Sequence, residues 1–175
     1  MKIMAILFDL GDTLMDEATE IKDIFGVTLD ANLIDGVEEV IRSLRKSGYR
    51  LALVADTRIG TYKNVLSKYG LIDYFDCFAI SEELGYEKPD PRIFLSALNS
   101  LGIEKAEYKN TLMVGNNLKR DIVGANGLGL ISVWFHWNDR YPSNPQSKEE
   151  TPRYEIKDII ELLSLIEMIE KDKGG

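Results

Sequence analysis

The stretch Ile3-Met4-Ala5-Ile6-Leu7-Phe8-Asp9-Leu10-Gly11-Asp12-Thr13-Leu14 decides how this chain is read. Its continuous apolar run, residues 3–8, has the length and composition of a buried strand. The run stops at a carboxylate, and Asp9, Asp12 and Thr13 then crowd a turn loosened by Gly11. An acid at the carboxyl end of a buried strand stands where open α/β sheets place their ligands. Asp and Gly are also ordinary turn residues, so the stretch gains meaning only from the remainder of the chain.

Further apolar runs at 51–55, 111–115 and 130–135, and a weaker one at 77–80, complete a set of five strands. Helical patterns separate them. Val37, Val40, Ile41 and Leu44 fall on one helix face, with Asp35 and Glu38 spaced as a capping box and Gly48 as a stop. Tyr62, Val65, Leu66 and Tyr69 repeat the spacing before Gly70; Phe94, Ala97, Leu98 and Leu101 repeat it between Asp90-Pro91 and Gly102. A last helix over about 157–171 carries Ile159, Leu162, Leu163 and Ile166 on one face. Alternation of this kind predicts an α/β fold, a three-layer sandwich around a mostly parallel five-stranded sheet. Right-handed crossovers bring the strand ends to one rim. The turns after the first, second and fourth strands (residues 8–13, 54–57 and 114–121) should therefore converge.

A chain of 175 residues is expected to form one domain over 1–175. Its 45% hydrophobic and 29% charged content is that of an ordinary globular protein, and no apolar run approaches membrane-spanning length. The formal net charge of -8 argues against a general nucleic-acid binder. Arg42, Arg45, Lys46 and Arg50 form a basic cluster, but on the polar face of a helix they read as a solvated surface. The single cysteine, Cys77, cannot form an internal disulfide and fits a reducing, cytoplasmic setting. Neither a membrane nor nucleic acid is expected as a partner.

The converging turns suit phosphate chemistry. An Asp nucleophile is weak unless a cation orients it and screens the incoming phosphate. Magnesium needs about six oxygen ligands and keeps several waters, so one or two carboxylates and a carbonyl suffice. Asp9, the Gly11 carbonyl and a group from 116–121 could supply them. Lys88, ahead of a helix, could reach the same rim, balance phosphate charge and keep the nucleophile ionised, although any single Lys is more often a surface residue. Asn116, Asn117 and Asp121 also have a structural reading, as a helix cap and a favourable partner for its dipole.

Taken together, residues 3–135 resemble the haloacid dehalogenase-like (HAD) hydrolase superfamily, whose core is a Rossmann-like sheet. The turn from Phe8 to Leu14 is similar to its first motif, which implies that Asp9 is the residue phosphorylated or alkylated. Val54-Ala55-Asp56-Thr57 occupies the second motif's place, which binds phosphate through a hydroxyl and backbone amides. The segment from Glu87 to Phe94 resembles the third motif, with Lys88 as its lysine, and Met113–Asp121 the fourth, whose acids hold magnesium. The resemblance thus implies catalytic Asp9, Asp12 and Lys88, substrate contacts from Thr13, Asp56, Thr57 and Lys88, and Mg2+ at Asp9, Gly11, Asn116 and Asp121.

Three positions depart from the family pattern. The acid–base Asp expected two residues after the nucleophile is Gly11, and neighbouring Asp12 would have to swing into the role. Losing general acid–base help slows such a reaction by about 10²–10⁴-fold. Ala55 stands where a Ser or Thr is expected, with Thr57 as a nearby substitute. Asn116 replaces the first acid of the fourth motif, so magnesium should bind, but weakly.

Only about twenty residues, 15–34, separate the first turn from the next helix, so any cap is minimal. An open site admits a bulky phosphorylated substrate, or borrows a lid from a second copy of the chain. The long irregular stretch at 136–155 begins on the same rim. It is expected either to cover the site, through Trp137 or Arg140, or to tether the last helix. His136, the only histidine, has no catalytic partner, and Trp134 should pack in the core. The leading expectation is a magnesium-dependent phosphate-monoester hydrolase using an aspartyl-phosphate. The alternatives are a catalytically weakened binding or regulatory protein of the same fold and, less favoured, a 2-haloacid dehalogenase.

Overall fold

The computed structural model describes residues 2–171, so the outermost ends of the expected domain, residues 1 and 172–175, lie outside the described residues. Strand β1, Ala5–Phe8, is buried along its whole length. A strand covered on both faces has no solvent side to alternate with, hence its unbroken apolar run. A small hairpin comes next, β2 (Ile21–Lys22) and β3 (Thr28–Asp30), then helix α1 (Val37–Lys46), β4 (Arg50–Ala55) and α2 (Ile59–Lys68). After them stand β5 (Cys77–Ile80), the single turn α3 (Ser81–Leu84), α4 (Pro91–Ser100), β6 (Thr111–Gly115) and α5 (Val123–Leu128). The chain continues through β7 (Ile131–Phe135) and β8 (Tyr154–Ile156) to α6 (Glu161–Lys171).

The main sheet runs β5-β4-β1-β6-β7-β8, with every neighbouring pair parallel. It has six strands, one more than the five read from the sequence. The extra strand, β8, pairs Tyr154, Glu155 and Ile156 with Val133, Trp134 and Phe135 at the sheet edge. Only Ile156 of these three is buried, so the segment carries no apolar run to betray it. It also shortens the irregular stretch and anchors its far end.

Side chains alternate across the sheet into two cores. Ile6, Phe8, Leu53, Val114 and Val133 pack with α1, α2 and α6. Ala5, Leu7, Val54 and Met113 face Ile93, Phe94 and Leu98 of α4 and Ala125 of α5. Gly124 lets α5 approach α4, because a β-carbon there would lie 2.3 Å from the Phe94 ring.

The helix boundaries agree with the sequence reading except at two starts: α6 begins at Glu161 rather than near 157, and α1 lacks its expected cap. Asp90 caps α4 as expected, its side chain accepting from Arg92 N with Pro91 in the first turn. At α1 the expected Asp35–Glu38 box does not form. Gly36 takes the cap position with φ +85°, and no side chain caps the helix. A β-carbon at 36 would meet Ile159 and Ile160 at 2.9–3.1 Å, so packing against the segment entering α6 sets this helix start.

Because β4 and β6 flank β1, the strand order reverses at β1. The carboxyl ends of these three strands open a crevice at that switch point. Phe94 is fully buried against both α5 and the sheet, so Phe94→Ala should destabilise the fold by about 3–5 kcal/mol. A fall in the urea midpoint at unchanged slope would measure it.

Candidate active site

The crevice holds a cavity of about 140 Å³ whose lining includes Asp9, Gly11, Glu17, Asp56, Lys88 and Asp121. Asp9 continues β1 by one residue, its N–H donating to Val114 O at 3.0 Å. Lys88 arrives from the loop between α3 and α4. Its backbone N–H donates to Asp56 Oδ1 at 2.9 Å, which ties this loop to the end of β4. Lys88 Nζ then lies 2.6 Å from Asp9 Oδ1 and 2.7 Å from Asp121 Oδ1. All three side chains are withdrawn from solvent.

Burial by itself would discharge Lys88. Asp121, Asp9 and Asp56 outweigh it and hold the ammonium charged, above its ordinary value. Burial also pushes Asp121 up to about 7; Lys88 opposes this and Asp9 adds to it. Burial likewise raises Asp56, against the pull of Lys88 and of Arg120, whose guanidinium lies 3.2 Å away. Asp9 and Asp121 thus share one buried ammonium, so the carboxylates outnumber the cation set between them.

Two further features fix the fourth-strand turn. Asp121 Oδ2 accepts from Asn117 N at 2.9 Å, and a β-carbon on Gly115 would stand 2.3 Å from the Asp121 carboxyl. Glycine at 115 is what lets Asp121 fold back under the strand. Asn117 supplies the cap, accepting from Lys119 N and Arg120 N at 3.0 and 3.2 Å. Asn116 is therefore free of capping duty and lines the cavity. Its backbone carbonyl is held by Trp134 Nε1 at 2.9 Å, while its buried Nδ2 has no hydrogen-bond partner among the described residues. Trp134, expected as core packing, thus also sets the position of a cavity residue.

The first turn separates its residues. Thr13 is buried and gives Asp9 Oδ2 only a long 3.5 Å contact. Thr57 lines the cavity. Asp12, at φ +49°, is fully buried and lies outside the cavity lining. Its carboxylate accepts from Glu17 N at 3.0 Å and pairs with Arg140, and its carbonyl accepts from Trp137 Nε1 at 2.8 Å. The irregular stretch is thereby pinned to the first turn, and Tyr141 joins the cavity lining.

Glu17, which the sequence reading passes over, sits above Gly11. A β-carbon at residue 11 would lie 2.0 Å from Glu17 Oε1. Burial pushes the Glu17 carboxyl up to about 7, helped by Asp12, Asp9 and Glu20 and opposed by Arg140. Neither a strand end nor an apolar period marks Glu17; an acid downstream of a glycine-for-acid exchange is the only clue the sequence offers.

The hairpin of residues 21–30 borders the opening. It is tied to α2 through Thr28 N to Thr61 Oγ1 and Asn64 Nδ2 to Thr28 O, both 2.9 Å, and exposes Ile24 and Phe25 at its tip. Beside it a cleft of about 640 Å³ shares Glu20, Lys22, Asp56 and Thr57 with the inner cavity. Of the basic cluster read as one helix face, Arg42 and Arg45 lie on α1 and pair with Glu38 and Asp76, whereas Arg50 instead begins β4 and donates to the Met4 and Leu101 carbonyls. His136 stacks on Trp134 and meets Glu155 at 3.0 Å.

The donor set fits a hard divalent cation. Among the described residues no three His, Cys, Asp or Glu side chains are placed to share a metal. A cation here would lean on the Asp9 and Asp121 carboxylates, amide or carbonyl oxygen and water, which is magnesium's habit. The excess of carboxylates and the unpartnered Asn116 amide, whose oxygen and nitrogen exchange by rotation, agree with that. Replacing Lys88 by Met should strip the buried carboxylates of their partner and destabilise the fold by about 3–5 kcal/mol. Adding Asp121→Asn should recover part of the loss in the same urea titration.

Comparison with known proteins agrees with this geometry. A family model described as a haloacid dehalogenase-like hydrolase matches residues 20–129. Glyceraldehyde 3-phosphate phosphatase of Methanopyrus kandleri is 32% identical over 132 residues, 75% of this chain and 55% of that protein. Phosphoserine phosphatase of Thermus thermophilus is 32% identical over 125 residues, 71% of this chain and 47% of that protein. The chain thus spans about half the length of these curated relatives. A HAD phosphatase structure from Thermococcus onnurineus superposes with a TM-score of 0.76 at 22% identity, over 94% of this chain and 98% of that one, a likeness of fold. Among the described residues no helix is long and apolar enough to cross a membrane. With these strand-end segments meeting around one buried lysine and a family model matching residues 20–129, the chain belongs to the haloacid dehalogenase-like hydrolases.

Proposed function

We propose that this protein hydrolyses phosphate monoesters, with Asp9 as the nucleophile. The observation that carries the reading is the Lys88 ammonium held between Asp9 and Asp121 at 2.6 and 2.7 Å inside the switch-point cavity. Lys88 Nζ holds Asp9 through Oδ1. Asp9 Oδ2, met only by the long Thr13 contact among the described residues, is the oxygen left for attack. The relatives named as phosphatases support phosphate as the group transferred.

Attack by Oδ2 on phosphorus would break the bond to the ester oxygen and leave an aspartyl-phosphate. Lys88 and the backbone amides near Asp56 and Thr57 would hold the phosphoryl oxygens, where fixed donors act strongly because the site is dry. Water would then attack phosphorus and return Asp9. Mg2+ would be held by Asp9, the Gly11 carbonyl, Asn116 and Asp121, and when bound would screen the charge between carboxylates and phosphate. The rest of the ester would lie in the adjoining cleft of about 640 Å³. With only a small hairpin beside that cleft, a bulky phosphorylated substrate can be admitted.

The experiment is hydrolysis of p-nitrophenyl phosphate in Mg2+. Asp9→Asn should lower turnover by about 10⁴-fold or more, and EDTA should abolish activity until Mg2+ is restored. Full activity in Asp9→Asn would reject the nucleophile. Silence of the wild type toward a broad set of phosphate esters would favour a binding protein on the same fold.

A further inference from the structure

An ester oxygen leaving phosphorus needs a proton, and the water that attacks next needs a base. Asp9 and Asp121 are committed to Lys88, and Asp56 takes the Lys88 N–H and Arg120. Glu20 accepts the Thr28 hydroxyl at 2.6 Å and pairs with Lys22 at 2.8 Å. Asp12 is turned toward Arg140, outside the cavity lining. Glu17 is the lining carboxylate that remains. Its closest cation, Arg140 Nε, stands 3.8 Å away.

Its placement is specific. Residue 11 has no side chain, and the Glu17 carboxylate fills the volume such a side chain would enter, its Oε1 2.0 Å from where the β-carbon would be. Glu17 thus brings a carboxyl group from outside the nucleophile turn to a point beside Gly11, two residues from Asp9. The Glu17 backbone is itself held, because its N–H donates to Asp12 Oδ1 at 3.0 Å and Asp16 caps the short turn of residues 17–19. Arg140 secures Asp12 from the far side.

We propose that Glu17 is the general acid and base of this site, with Asp12 and Arg140 as positioning residues for the turn that presents it. The assignment rests on the phosphate-ester reading above. As the bond from Asp9 Oδ2 to phosphorus forms and the ester P–O bond breaks, Glu17 gives its proton to the departing oxygen, releasing an alcohol. The Glu17 carboxylate then takes a proton from water as the water oxygen bonds to phosphorus and the Asp9–phosphorus bond breaks. Phosphate leaves, and both carboxyl groups return to their starting states.

Glu17→Gln keeps the shape and removes the proton transfer. p-Nitrophenolate departs without protonation, whereas the alkoxide of glycerol phosphate does not. The variant should therefore release about one equivalent of p-nitrophenol in a burst and then stall, with phosphate trapped on Asp9. Its first turnover on glycerol phosphate should fall about 10²–10⁴-fold. A second comparison uses the vacated volume: Gly11→Asp in a Glu17→Ala background should regain glycerol phosphate turnover over Glu17→Ala alone. Equal slowing of both esters without a burst, no slowing of either, or no recovery in the double variant overturns the assignment. A wild type active on both esters with an unchanged Glu17→Gln profile removes this assignment alone. A wild type inert toward both removes the phosphate-ester reading and this assignment together.

Discussion

The structure turns on one buried ammonium. Taking charged groups out of water costs several kcal/mol per ion, and mutual attraction offsets that only with close geometry and further hydrogen bonds. Lys88 has both, because two carboxylates lie within 2.7 Å of its Nζ and its own N–H is fixed on Asp56. The cost of keeping these groups dry is met by a sheet whose strand ends are covered on both faces. The same dryness strengthens the attraction between Lys88 and the two carboxylates.

That lysine depends on glycine and asparagine chemistry in another turn of the rim. Gly115 leaves room for Asp121 to turn back, Asn117 caps the succeeding turn, and Trp134 holds the Asn116 carbonyl. The two adjacent asparagines both line the cavity but are not equivalent: the Asn117 side chain satisfies backbone donors, and the Asn116 side chain does not.

The first turn shows how an exchange of neighbours is absorbed. With glycine at 11 and aspartate at 12, the positive φ falls on Asp12, whose carboxylate is drawn to Arg140 and the Glu17 N–H. The space over Gly11 does not stay open but takes the Glu17 side chain. Of the stretch expected as either a lid or a tether, Trp137 and Arg140 hold the turn at Asp12, Tyr141 reaches the cavity, and β8 joins the sheet.

The order of residues was enough to specify the α/β alternation, five of the six strands of the main sheet and the rim on which Asp9, Asp56, Lys88 and Asp121 meet. Those features are encoded locally, in apolar runs, helix periods and polar residues placed directly after strands. It could not show β8, where a three-residue edge strand buries one side chain, or the start of α1, which contacts from Ile159 and Ile160 fix across the fold. The choice between Asn116 and Asn117, the turning away of Asp12 and the arrival of Glu17 were likewise settled only in three dimensions. Each depends on which neighbour occupies a given volume or holds a given donor, and distant segments such as Trp134, Trp137 and Arg140 supply those neighbours.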